Sequence, residues 1–152
     1  MNYLKPDEIW EIFDIKSEDD FREKYLLKGK FHPLVPEKII NEYKIVERLT
    51  YYSYFNYPLI DEAFSKSTRI FEASITLKLE ISGLKKDRFE TLDSKLKRLK
   101  ELYSNDLFEQ WKIAKKFRND FAHREVVALI VFIFFIVFKN NLNLINSIFL
   151  ES

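Results

Sequence analysis

The chain has 152 residues, 47% of them apolar and 16% aromatic, enough to bury a core without a covalent staple. It contains no cysteine, which excludes disulfides, zinc fingers, iron–sulfur clusters and thiol nucleophiles and makes a cytoplasmic location the expectation. A formal charge of +1 argues against bulk coating of nucleic acid, and two glycines are too few for GxGxxG, GxxxxGK[ST] or GxSxG.

The N-terminus, MNYLKPDEIWEIFD, carries acidic residues where an export signal needs a basic start and an apolar run, so no such signal is expected. Pro6 occupies a favourable first helical position ahead of Ile9, Trp10 and Phe13. Ser17 with Asp20 three residues on forms a loose capping box for a second short helix through Phe21, Tyr25 and Leu26 to Gly29. Residues 1–35 therefore read as an N-terminal helical extension, and residues 36–152 as the bundle proper.

Two prolines and a glycine mark Gly29 to Pro36 as a turn. Pro36 then sets the first turn of a helix whose Ile39, Ile40, Tyr43, Val46 and Leu49 fall on one face. Tyr51, Tyr52, Tyr54, Phe55 and Tyr57 crowd its end. Such aromatics can stack unpaired bases, but packing at a bundle end is the preferred reading.

Asn56 is a cap candidate for a long helix with Leu59, Ala63, Phe64, Ile70, Phe71 and Leu77 facing the core, ended by Gly83 in the left-handed conformation. Leu92, Leu96, Leu99 and Tyr103 form a further apolar stripe flanked by basic residues. Ser104, Asn105 and Asp106 supply caps for the next helix, with Leu107, Trp111, Ala114, Phe117 and Phe121 inward. Val126 to Phe138 is an uncharged run of thirteen residues. As a helix it is about 20 Å long, short of the ~30 Å bilayer core. A buried element or an oligomer interface is expected there, with a buried strand as the other conformational reading; a short tail, LNLINSIFL, follows. The fold class predicted is all-α, a single-domain helical bundle.

Chemistry concentrates in one place. Residues 95–124 hold nine basic side chains against four acidic ones, and Lys115 to Glu125, KKFRNDFAHRE, brings an arginine, an amide, a carboxylate and a histidine together. Arg118, Asn119 and His123, with four residues between the arginine and the histidine, resemble the motif of the HEPN superfamily of small helical proteins. Its ribonuclease members carry an arginine, usually followed by a polar residue, a few positions before a histidine. The rest of the chain resembles that superfamily by architecture only.

The resemblance implies a metal-independent endoribonuclease without a cofactor, acting on single-stranded or looped RNA, with a toxin or phage-defence role and an antitoxin protein as a further partner. It also implies a homodimer with the site at the dimer interface. His123 suits proton transfer because an imidazole titrates near neutrality. Arg118 suits the phosphate, and Asn119 orients either group. Lys112, Lys115, Lys116 and Arg124 are the candidates for holding the RNA backbone. On an unbroken helix Arg118 and His123 would point some 140° apart while Asn119 and His123 share a face, so a bend, a reaching arginine or a second chain is needed.

The plainer reading keeps Asp120 and Arg124 as a surface pair and His123 as a packed helix-end residue. In that case the chain is a non-catalytic interaction module for a protein partner. A metal site is not expected, because Asp120 and His123 lack a second acid–histidine pair and His32, the only other histidine, sits in a turn.

Overall fold

A computed structural model of the chain describes residues 4–84, 90–101, 103, 108–113, 116 and 130–150, the side chains of 130–134 excepted. The described residues form an all-α bundle without a strand. The helices are α1 (Ile9–Ile12), α2 (Glu18–Tyr25), α3 (Glu37–Tyr52), α4 (Leu59–Ile81), α5 (Leu92–Leu99) and α6 (Ile130–Leu150). Residues 108–113 are helical as well.

Local chemistry sets most of the boundaries. Ser17 caps α2 by accepting the Asp20 N–H at 3.1 Å, while the Asp20 carboxylate accepts the Lys16 N–H, so the capping box forms in its loose version. Thr91 caps α5 through the Ser94 N–H. At the end of α4, Gly83 takes φ of 69° and closes a Schellman turn, with Leu84 N–H on Leu79 O at 2.8 Å and Gly83 N–H on Glu80 O at 3.1 Å.

Two start signals act differently from expectation. Pro6 lies outside α1, which begins only at Ile9, because Asp7 is drawn into the interior network instead. Its N–H donates to Tyr54 O, and its carboxylate accepts the N–H groups of Ile9 and Tyr57. Asn56 is not the cap of α4 either; Pro58 holds that position, and Asn56 contributes its carbonyl to the Leu59 N–H. The second helix also stops at Tyr25, short of Gly29. Leu26 is extended there, and the next residue, Leu27, is buried.

Helix α4 is the centre of the bundle, packing on α3, α5 and α6. Three neighbours require a wide buried face, and Ile60, Ala63, Phe64, Ser67, Ile70, Phe71, Ser74, Ile75 and Leu79 supply it. Its buried hydroxyls are satisfied locally or across the interface: Ser74 donates to Ile70 O, and Ser67 Oγ accepts from Asn141 Nδ2 of α6 at 3.2 Å.

The described part of the apolar run, from Ile130 onward, and the tail form one helix, α6. Phe135, Val137 and Phe138 are buried while Ile136 is half exposed, and the buried face continues through Asn141, Leu144, Ile145, Ile148 and Phe149. Two of the asparagines that interrupt its apolar pattern, Asn141 and Asn146, are structural. Asn146 clamps the 29–35 turn, accepting the His32 N–H at 2.8 Å and donating to Lys30 O at 2.9 Å. Within that turn Gly29 leaves no room for a side chain: a Cβ would lie 2.5 Å from the Phe31 ring, and the Gly29 N–H donates to Glu47 at 2.6 Å. No helix among the described residues is long and apolar enough to cross a membrane.

The Asn141–Ser67 pair gives a testable energy. Asn141→Leu strands the Ser67 hydroxyl and is expected to cost about 1–3 kcal/mol, whereas adding Ser67→Ala removes both partners and recovers most of that loss. Urea midpoints of the two single variants and the double variant read the coupling directly. Additive losses would show that the pair contributes nothing beyond packing.

Candidate functional site

The chain approaches the Arg118–His123 motif along the 108–113 helical segment, whose placement follows from two aromatics. Trp111 is fully buried and meets Tyr103 edge-on at 5.1 Å, and the Tyr103 hydroxyl donates to Ile148 O of α6. Phe108 is buried beside them. This end of α6 is thus the anchor for the segment, and Lys112 and Ile113 remain exposed.

Of the nominated RNA-binding residues, Lys112 and Lys116 are described. Lys112 lies 5.4 Å from the Phe108 ring centroid and pairs with both oxygens of Glu109 at 3.1 Å. Lys116 is exposed and pairs with no carboxylate among the described residues. Lys115, Arg118, Asn119, His123 and Arg124 lie outside the described residues, and so does the angular relation expected between the arginine and the histidine.

The basic excess of residues 95–124 is partly spent on neighbours. Lys97 pairs with Asp93 at 3.1 Å, Arg98 with Glu90, and Lys95 donates to the Thr76 hydroxyl. Glu90 and Asp93 precede the 95–124 stretch in the chain, and by pairing with Arg98 and Lys97 they lower its effective field. Lys100 differs: its ammonium lies 5.1 Å from the Phe108 ring centroid, opposite no carboxylate among the described residues.

A second constellation lies between α2 and α3. Arg22 donates through Nε and Nη2 to Glu18 Oε1 at 2.9 and 2.6 Å, and the Tyr51 hydroxyl donates to the same oxygen at 2.8 Å. The hydroxyl bond first, and the guanidinium second, hold the Glu18 carboxyl below its ordinary range. The Arg22 guanidinium also sits over the Tyr51 ring, 5.0 Å from its centroid. Beside this triad runs a groove of about 330 Å³ lined by Arg22, Leu26, Lys28, Arg48, Tyr51 and Tyr52 among others.

The tyrosine-rich stretch thereby splits in two. Tyr54 is buried against Phe21 at 5.1 Å, as the packing reading expects, whereas Tyr52 is 51% exposed. Sequence reasoning noted the tyrosines but not the cations facing them, because Lys28 and Arg48 meet only through the tertiary pairing of the segment after α2 with α3. The spacing of Arg48 and Tyr52, four apart on one helix, was the available signal.

Other grooves differ in their charge pairing or in their lining. The one beside α1, about 470 Å³, has Lys5 paired with Glu8 at 2.9 Å and Lys16 with Asp14 at 3.3 Å. Between α3 and α4, Lys66 pairs with Glu42, while Lys38 and Arg69 line the same groove without a carboxylate partner among the described residues and no aromatic ring joins them. Burial lifts the Tyr57 hydroxyl to about 12, with Asp61 and Asp7 adding to the effect. Among the described residues, no three histidine, aspartate or glutamate side chains converge as metal ligands would.

No protein-family model, curated protein or solved structure matches this chain.

Proposed function

We propose that the chain is a metal-independent endoribonuclease of HEPN type that cleaves single-stranded or looped RNA as a toxin or phage-defence effector in the cytoplasm. The observation that carries this reading is the Arg118–Asn119–His123 pattern, set in an all-α chain without cysteine and with two glycines.

The chemistry follows from those side chains. An imidazole takes the proton of a ribose 2′-hydroxyl, the 2′-oxygen attacks the adjacent phosphorus, and the 5′-oxygen leaves with a proton from a second acid. The products are a 2′,3′-cyclic phosphate and a free 5′-hydroxyl. Arg118 stabilises the charge on the pentavalent phosphorane, and Asn119 orients the reacting groups. One His123 per chain cannot easily be both base and acid in one step, so a homodimer with two motifs facing one cleft supplies the pair. Lys112, Lys115, Lys116 and Arg124 hold the strand, and an antitoxin protein would cover this site.

The test is incubation of the purified protein with a mixed, end-labelled RNA pool in EDTA. Fragments ending in 2′,3′-cyclic phosphate are the expected result. Intact RNA, or cleavage abolished by EDTA, would sink the reading. The runner-up is a non-catalytic module that binds a protein partner.

A further inference from the structure

We propose that the α2–α3 groove docks single-stranded nucleic acid, with a base stacked on Tyr52 and flanking phosphates held by Lys28 and Arg48. That the strand is RNA rests on the ribonuclease reading; the docking chemistry does not. Three cations line the groove against one carboxylate, Glu47, whose Oε1 already accepts the Gly29 N–H. Arg22 is spent on Glu18 alongside, to which Tyr51 also donates, so Lys28 and Arg48 carry the basic excess of the groove. Lys28 and Arg48 are exposed and pair with no carboxylate among the described residues, which distinguishes this groove from the one beside α1; the groove between α3 and α4 also holds unpaired cations, Lys38 and Arg69, but no aromatic side chain lines it.

The aromatic part is pre-set. Tyr51 is fixed by its bond to Glu18 and by the guanidinium near its ring, and it meets Tyr52 edge-on at 5.3 Å. A platform held in place before binding loses little side-chain freedom when a base stacks on it. A volume of about 330 Å³ lies at the small end of ligand sites and suits one nucleotide unit rather than a folded partner. An exposed ring beside unpaired cations is how sequence-tolerant single-strand binders work, since every base offers a π-face and every linkage a charge.

The experiment is fluorescence anisotropy of the full chain with labelled oligo(dT) and oligo(U) of about 12 nucleotides, within the site sizes of such binders. Oligo(dT) lacks the 2′-hydroxyl that cleavage needs, so it stays intact whatever the chain's activity. Tyr52→Ala is expected to weaken binding about tenfold while Tyr52→Phe binds like wild type. Lys28→Glu and Arg48→Glu should each lower the slope of log affinity against log salt by about 0.7 per lost phosphate contact. All three side chains replaced here are exposed in the fold, and circular dichroism checks that it is kept.

Binding of oligo(dT) that depends on these residues, with the RNA pool left uncut, would uphold the docking site and remove the ribonuclease reading. Wild-type affinity in every variant, or no binding to either oligonucleotide, would overturn the docking site. So would residue-dependent binding of polyglutamate without binding of either oligonucleotide, which would assign the groove to an acidic protein segment.

Discussion

Replacing His123 with alanine is expected to lower the rate of RNA cleavage by about 10²–10⁴-fold, the usual contribution of a positioned acid–base group. RNA affinity should hardly change, since an imidazole moving a proton contributes mainly in the transition state. Arg118→Ala should reduce the rate comparably but also weaken binding, because its guanidinium meets phosphate charge in the ground state too. Arg118→Lys should recover the charge without the bidentate fork and so only part of the rate. The Arg118→Ala/His123→Ala double variant should be little slower than either single one, as in other sites whose groups act as a unit. Single-turnover rates at saturating enzyme separate these effects from affinity. Equal rates for wild type and His123→Ala, with both folded, would favour the interaction-module reading.

What was legible in the sequence depended on how local the determining physics is. The α3 and α5 stripes and the Gly83 terminus are set within a few turns of chain, so spacing alone located them. Pro6 misled because tertiary bonds outcompeted the local signal: Asp7 reaches Tyr54 and Tyr57, which leaves Pro6 outside the helix; at α4 Pro58, two residues on from Asn56, takes the cap position. The continuity of the apolar run from Ile130 with the tail depends on contacts of the same tertiary kind. Asn141 and Asn146 look like interruptions in sequence, yet each has a partner more than seventy residues away. Of the candidate site, the chemistry of Arg118, Asn119 and His123 was readable as a pattern. The neutralisation of Lys112 by Glu109 and the meeting of Lys28 with Arg48 and Tyr52 were not, since they depend on side-chain choice and helix pairing.

The other large effect is expected at the opposite end of the chain, where Trp10→Ala should cost about 3–5 kcal/mol. The α1 helix is only four residues long, far below the length at which a helix holds itself together. Its order therefore comes from Trp10, which is 1% exposed, lies 4.7–5.9 Å from the rings of Phe13, Phe21, Tyr25 and Tyr57, and donates from Nε1 to Ser53 O at 2.9 Å. Trp10→Phe should keep much of the packing yet leave the Ser53 carbonyl without that donor, a smaller loss of about 1–3 kcal/mol. Because a domain of this size is stable by only about 5–15 kcal/mol, the alanine variant should move the urea midpoint far. The slope of the transition then tells how the arm belongs to the fold. An unchanged slope means that residues 1–35 and the bundle unfold as one cooperative unit, sharing the core that Trp10 and Phe21 enter. A reduced slope means that the arm has already come away at low denaturant, leaving a bundle from residue 36 onward that stands without it.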